Sequence, residues 1–465
     1  MGNPLLSKNT DEFSPLNIPK TIVLKIKKTD NDSFSDSFET DPRNAESQLD
    51  LKDVMEKFPD LTMERVFSST SQQNLDQLSD SLDNEKKREI DLLSFYRIEV
   101  PVGENIENIL EKLRKNNIIE EAYVEGGPTP PPVIKGNNNP RYSSQEYLKP
   151  APVGINVPYA WNFKGGSGTG IQFVDLEQGW TLNHEDLLNR NITLISGINQ
   201  AFFGHGTSVL GQVVAIDNDI GNIGIAHGVL SARVVSQFRT STKYNTADAI
   251  LSAINVLNYG DILLLEAQTL VRGITNYLPV EVERAVFDII QLATLRGIIV
   301  IEAGGNGNND LDLFKDNNHH EILNRNSHEF KDSGAIMVGA ASSTVPHSRM
   351  YFSNYGSRID CYAWGENIDT TGDGWEGNLT NSYTTDFGGT SGASPIITGA
   401  ALCLQGIAKS KGHLLSPYEM RSILSDTSIG TLSSDPTVDR IGVMPDLHNI
   451  IDKYMNIILS EKISN

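Results

Sequence analysis

The chain has 465 residues, 59 acidic against 38 basic, and a formal net charge of -21. That length fits one large domain with a smaller one, or two to three ordinary ones, and 38% hydrophobic residues provide for a sizeable core. The acidic balance argues against nucleic acid and anionic membrane as partners, and two cysteines, Cys361 and Cys403, make no disulfide scaffold and are expected as buried free thiols.

Taken in order, residues 1–19 read as a tail. It lacks a basic segment leading into an apolar one, as a signal peptide has, and "MGNPLLS" puts Leu6 where the myristoylation pattern requires Ser or Thr. No run reaches transmembrane length. Residues 20–125 form a first domain. "TIVLKIK" alternates like a strand, and the acidic, Ser-rich stretch after it is an insertion too polar to pack. A helix ("LKDVMEKF"), a strand ("TMERVF"), a polar helical insertion with Leu75, Leu78 and Leu82 on one face, a strand ("LLSFYRIEV"), a helix ("ENIENILEKLRKN") and a strand ("EEAYVE") follow. Without the insertions the order is βαββαβ, a ferredoxin-like α+β unit. Residues 126–144, with "GGPTPPPVIKGNNNP", are a linker, since adjacent prolines impose extended chain. Residues 145–465 alternate wholly apolar strands ("GIQFVDL", "DILLLEA", "GIIVIEAGG", "GAIMVGAA") with helical segments, the pattern of a doubly wound, mainly parallel α/β sheet buried on both faces.

In such sheets sites gather where strands end. Three places qualify: "IQFVDLEQGW" with Asp175, "FFGHGTSVLG" with His205 between glycines, and "GGTSGASP" with Ser391 ahead of a helix. A nucleophilic serine needs a base in hydrogen-bond reach and a buried carboxylate to hold that base. The nucleophile-elbow signature does not apply: Ala393 stands where its second glycine belongs, and Asp and His precede the serine instead of following it. The pair His319-His320 lies in a polar loop and reads as solvated.

"DLEQGWTLNHEDL", "HGTSVLGQVVA" and "GTSGASPIITGAA" resemble the three catalytic blocks of the subtilisin family of serine proteases. "DNDIGNIGIAHGVLSARVV", "IEAGGNGN" and "FSNYGSRIDCYAWGENI" match further blocks in the same order, over about 143 to 455. The resemblance implies that Asp175 orients His205, that His205 takes the Ser391 proton, and that the Asn306 amide and the Ser391 N–H stabilise the oxyanion, with Ser394 in a structural role at the helix start. It implies a P1 pocket walled by Glu266, Ala267 and Gln268 and by Ala303, Gly304 and Gly305. The first wall departs from the family's usual Ser-Leu-Gly, and Glu266 there raises the expectation of a basic P1 residue, against a role in a structural hydrogen-bond network. "TSTKY" (240–244) resembles the strand that pairs with substrate.

A structural Ca²⁺ is implied at "IDNDIGN", with Gln145, Asp186, Ile216, Asn218, Ile220 and Asn222 as ligands through amide, carboxylate and carbonyl oxygens. The first domain resembles an inhibitory propeptide, to be cleaved between about 126 and 144. The function expected is a zymogen-like serine endopeptidase, a monomer, with a peptide or protein substrate and its own propeptide as partners and no nucleic acid or membrane span. The readings set beside it are a ligase or maturation protease using the same acyl-enzyme, and an inactive homologue that acts by binding. For location, both the cytoplasm and export without a recognisable signal peptide stay open.

Overall fold

The computed structural model describes residues 20–27, 62–71, 73–75, 92–101, 104–126, 142–271 and 276–455. The expected tail, the acidic insertion, the helix at 51–58, Leu78 and Leu82, and the linker at 127–141 lie outside them.

The first domain carries strands β1 (Lys20–Ile26), β2 (Thr62–Arg65), β3 (Phe95–Val100) and β4 (Ile119–Val124), with helix α1 (Ile106–Arg114) before β4. They form one antiparallel sheet in the order β2-β3-β1-β4, as the ferredoxin-like reading requires. Period-two alternation puts Ile22, Leu24 and Ile98 on one face, where they meet Ile109, Leu110 and Leu113 of α1. Those helical positions fall three and four apart on one stripe, and Asn105 caps the helix by accepting the Glu107 and Asn108 N–H groups.

The larger domain is built on β5 (Gln172–Glu177), β6 (Thr193–Ser196), β7 (Ser231–Ser236), β8 (Ile262–Leu265), β9 (Ile299–Ala303), β10 (Ile336–Ala341), β11 (Cys361–Trp364), β12 (Thr431–Leu432) and β13 (Val443–Met444). Across the sheet they run β12-β13-β11-β10-β9-β8-β5-β7-β6, parallel except for the β12 edge. The chain lays β6 and β7 to one side of β5 and then starts β8 on the other. The order therefore reverses between β5 and β8, and their C-terminal ends open the crevice where α/β sheets bind ligands.

Helices α2 (Phe203–Val214) and α5 (Thr390–Ser410) cover one face; α3 (Thr246–Ile254) and α4 (Arg284–Leu295) cover the other. Strand parity can be read from the two cores. Phe173 of β5 and Ile262 and Leu264 of β8 point to the α2/α5 side, whereas Val174, Leu176, Leu263 and Leu265 point to the α3/α4 side. Asp175, Glu177 and Glu266 thus fall on the α2/α5 side. Helix α5 has the length and apolarity of a membrane span, but its apolar stretch, Thr390 to Ala408, is buried as the central helix of the domain. Cys361 and Cys403 are both buried and free, as expected.

The first domain docks by its other sheet face, with Val23, Phe95 and Tyr123 packed among the residues of α3 and α4. Polar groups fix the register at the N-terminal ends of those helices. Asp248 accepts the Ser68 and Ser69 N–H groups at 3.0 and 2.8 Å, the α3 cap Asn245 donates to the Val66 carbonyl at 2.9 Å, and Ala285 N–H donates to the Tyr123 hydroxyl at 3.1 Å. Residues 240–244 form a turn with a single bridge, Phe238 to Tyr244, instead of the expected strand; Lys243 of this turn pairs with Glu99 of the first domain at 2.9 Å.

Candidate active site

Helix α5 begins after Gly389, whose φ of 83° opens room for a sharp entry. Ser391 is the second residue of the helix, so its N–H is among the first-turn donors left without an intrahelical acceptor. Ser394, one turn on, turns its hydroxyl back to the Thr390 carbonyl at 2.7 Å and also donates to Glu266 Oε1. Ser391 is therefore the hydroxyl left facing the cleft, and Ser394 is structural, as expected.

His205 stands in the first turn of α2, its backbone N–H donating to the Trp375 carbonyl at 2.8 Å and its ring edge-on to Phe387 with centroids 5.2 Å apart. The flanking glycines are there for close approach: a Cβ on Gly204 would lie 1.8 Å from Asp373 Oδ1, and one on Gly206 would lie 2.3 Å from the Gly179 carbonyl.

The carboxylate that holds the imidazole is Glu177, with Oε2 2.7 Å from His205 Nδ1 and both side chains buried. This corrects the expectation that Asp175 does so. Asp175 and Glu177 are two apart on β5 and share a face, but Asp175 lies deeper, and its Oδ2 accepts the indole N–H of the buried Trp180 at 2.7 Å. Glu177 ends the strand, where the crevice opens, and its longer side chain reaches Nδ1. The strand runs two residues past Asp175, where the sequence reading ended it, and this carries Glu177 to the crevice.

Nδ1 being engaged, Nε2 faces the cavity with no protein partner among the described residues, the arrangement that a general base needs. Ser391 and His205 line one cavity without a direct bond between them; such bonds often tighten only on substrate binding. Burial lowers His205 to about 4, opposed by the Glu266 charge, while burial pushes Glu177 and Asp175 well up.

The remaining walls lie largely where expected. Glu266, Ala267 and Gln268 follow β8, Ala303 ends β9, and all four line the cavity with Asn306 and Thr390; Gly304 and Gly305 continue the wall without lining it. Gly305 has φ 88°, and a Cβ there would lie 2.8 Å from Asn354 Nδ2. Asn306 Oδ1 is fixed by the Thr390 N–H at 2.8 Å, which aims Nδ2 into the cleft, where Gln268 Oε1 accepts it at 3.2 Å. A substrate oxyanion would take the place of Gln268 as acceptor. Glu266 meets the hydrogen-bond-network expectation through Ser394 while still lining the cavity.

The loop at 216–222 comes together with Gln145 and Asp186. Ile223 N–H donates to Gln145 Oε1 at 2.9 Å, Asn222 N–H to Asp186 Oδ2 at 2.8 Å, and Ile220 N–H to Asn218 Oδ1 at 3.0 Å. Asp186 Oδ1 is buried without a hydrogen-bond partner, and burial raises the carboxyl to about 6. Among the described residues no group of three or more His, Cys, Asp or Glu side chains is placed to hold a metal. A cation here would rest on one carboxylate plus amide and carbonyl oxygens, a donor set that suits Ca²⁺.

The fold and this site define a serine peptidase of the α/β type. Residues 194–444 match the Subtilase family (Peptidase_S8), and residues 66–125 match the fervidolysin N-terminal prodomain. The chain belongs to the subtilase family. It is 27% identical over 268 residues to subtilisin DY of Bacillus licheniformis, covering 57% of this chain and 86% of that protein. To subtilisin-like protease 2 of Plasmodium falciparum it is 24% identical over 308 residues, 60% of this chain but only 20% of that much longer relative. Two solved structures resemble nearly the whole fold. The epidermin leader peptide processing serine protease EpiP from Staphylococcus aureus has a TM-score of 0.59 at 16% identity, covering 93% of this chain and 99% of that one. Fervidolysin from Fervidobacterium pennivorans has a TM-score of 0.54 at 14% identity, covering 93% of this chain and 61% of that one.

If Glu177 holds His205, Glu177→Gln loses roughly 10⁴ in kcat, the cost of the wrong imidazole tautomer in serine proteases. Asp175→Asn, which leaves the Nδ1 contact in place, keeps far more of the wild-type kcat than Glu177→Gln does. Steady-state kinetics on a chromogenic peptide distinguishes the two, and the reverse ranking would restore Asp175 to the role.

Proposed function

We propose that the protein is a serine endopeptidase made as a zymogen with its own prodomain docked on the catalytic domain. The observation that carries this is the convergence of Ser391, His205, Glu177 and Asn306 on one cleft at the switch point of the sheet. Ser391 Oγ attacks the peptide carbonyl carbon as its proton passes to His205 Nε2, and the carbonyl π pair moves onto oxygen, which the Asn306 amide and the Ser391 N–H receive. Collapse breaks the C–N bond, and the proton on Nε2 goes to the leaving amine. Water repeats the sequence on the acyl-enzyme. Glu177 holds the ring and balances the imidazolium charge throughout.

The zymogen reading rests on where the prodomain ends. Gly126 N–H donates to Glu283 Oε1 at 3.0 Å, and Thr269 donates to the same oxygen at 2.5 Å. Thr269 directly follows Gln268 of the cavity wall, so the chain leaves the prodomain at the rim of the cleft. Intact-mass spectrometry of wild type and Ser391→Ala, with labelling by a serine-directed phosphonate, tests the whole reading. Wild type is expected to cleave itself between about residues 126 and 144 and to take the label, and the variant to do neither. Wild type that stays full length and unlabelled would contradict it.

The 216–222 loop, in this reading, holds one structural Ca²⁺ through Asp186, the amide oxygens of Gln145 and Asn218 and the carbonyls of Ile216, Ile220 and Asn222. The ion would supply the positive counter-charge that the buried Asp186 carboxylate lacks. Calcium at a hundred times its dissociation constant should stabilise the fold by about 2.7 kcal/mol. The expected result is a rise in Tm with calcium that a chelator reverses and that Asp186→Asn abolishes. No response of wild type to either reagent would rule the site out.

A further inference from the structure

The β5/β8 register, Leu176 beside Leu265, continues one step further: Glu266 N–H donates to the Leu176 carbonyl at 3.2 Å. Glu266 therefore stands next to Glu177 on the neighbouring strand, and parity turns both to the α2/α5 side, with Asp175 one layer below. Among the described residues, Glu177 and Glu266 line the cavity with one basic side chain, His205, and Asp175 lies buried below them. Glu266 Oε1 is occupied by the Ser394 hydroxyl, whereas Oε2 is buried and has no hydrogen-bond partner among the described residues. The side chain lines the cavity beside His205 and Ser391, and the Ser391 hydroxyl is one of the groups that act on it.

Resting on the serine-peptidase reading, we propose that Glu266 is a positioning residue that carries a proton during catalysis: its carboxyl O–H donates to Ser391 Oγ and turns the serine hydrogen toward His205 Nε2, and its ionisation shuts the site down. The proton stays on Glu266 through the cycle, and proton transfer runs only between Ser391, His205 and the leaving group. Ionised Glu266 would instead accept the Ser391 hydrogen, drawing it away from Nε2, and would set a negative charge beside the developing oxyanion.

Burial favours the protonated form of the group against most of its neighbours. Burial is the largest influence and pushes Glu266 up to about 7; His205 lowers it, the Ser394 hydroxyl lowers it, Asp175 raises it and the Ser391 hydroxyl lowers it. The groups facing it are Glu177 and Asp175 from β5 and His205 from α2, while α5 presents only hydroxyls and β9 presents Ala303. Below about 7 Glu266 holds its proton, and above about 4 His205 is free to act as base, so the working window is acidic. A neutral Glu266 also gives no preference for Lys or Arg at P1.

The test is the pH profile of kcat/KM for the self-processed wild type, Glu266→Gln and Glu266→Ala, on one peptide series with Lys, Leu or Phe at P1. Wild type should fall about thirtyfold between pH 6 and pH 8.5, the loss of protonated fraction for a group near 7. Glu266→Gln, whose amide donates but cannot ionise, should lose that decline, and Glu266→Ala should lose kcat with little change in KM. A Glu266→Gln profile that superimposes on wild type, or a change confined to P1 Lys substrates, overturns the proposal while leaving the peptidase reading in place. Wild type without activity at any pH overturns both.

Discussion

The hydrogen bond between Glu177 Oε2 and His205 Nδ1 is the contact on which the rest of the site depends. It fixes the ring orientation and leaves Nε2 directed into the cleft. Both partners are buried, so neither gains from water, and losing one would leave the other's polar group unsatisfied at a cost well above that of an ordinary surface bond. The sheet brings them together because β5 ends at the switch point and α2 begins there, its glycines allowing the helix to approach the 179–180 turn and the Asp373 loop.

A second constraint follows from the first. With Glu177 committed to His205, the site holds two more carboxyls, Asp175 and Glu266, on the same side of the sheet. Like charges in a low-dielectric pocket cannot all ionise, so burial keeps protons on the group. Burial outweighs the hydrogen bonds that Asp175 accepts from the Trp180 indole and Glu266 from the Ser394 hydroxyl, both of which favour the ionised form. The prodomain junction follows the same pattern. Glu125 and Glu283 are both buried where the chain leaves the first domain, burial raises both, and Arg97 beside Glu125 opposes the rise.

Much of this was readable from the sequence, for physical reasons that differ by element. The α/β order shows because buried parallel strands are apolar throughout, and the prodomain sheet shows because "TIVLKIK" and "FYRIEV" keep the period of two. Ser391 and His205 stand out because helix N-termini packed this closely need small neighbours. The acid partner was missed because Asp175 and Glu177 share a face, so alternation cannot separate them; what does is depth, and the Trp180 indole that claims Asp175 lies in the following turn. The family match begins at residue 194, past the strand carrying both acids, so it does not decide between them either. The turn at 240–244 forms no strand, and it is Lys243 pairing with Glu99 of the prodomain that engages it.

The Glu177–His205 pair can be observed without turnover. In Ser391→Ala protein with ¹⁵N-labelled histidine, proton NMR should show one far-downfield Nδ1–H resonance, coupled to the His205 nitrogen. It should vanish or move upfield in a Glu177→Gln background and persist in Asp175→Asn. Loss of the resonance in Asp175→Asn, with its retention in Glu177→Gln, would contradict the account at its centre.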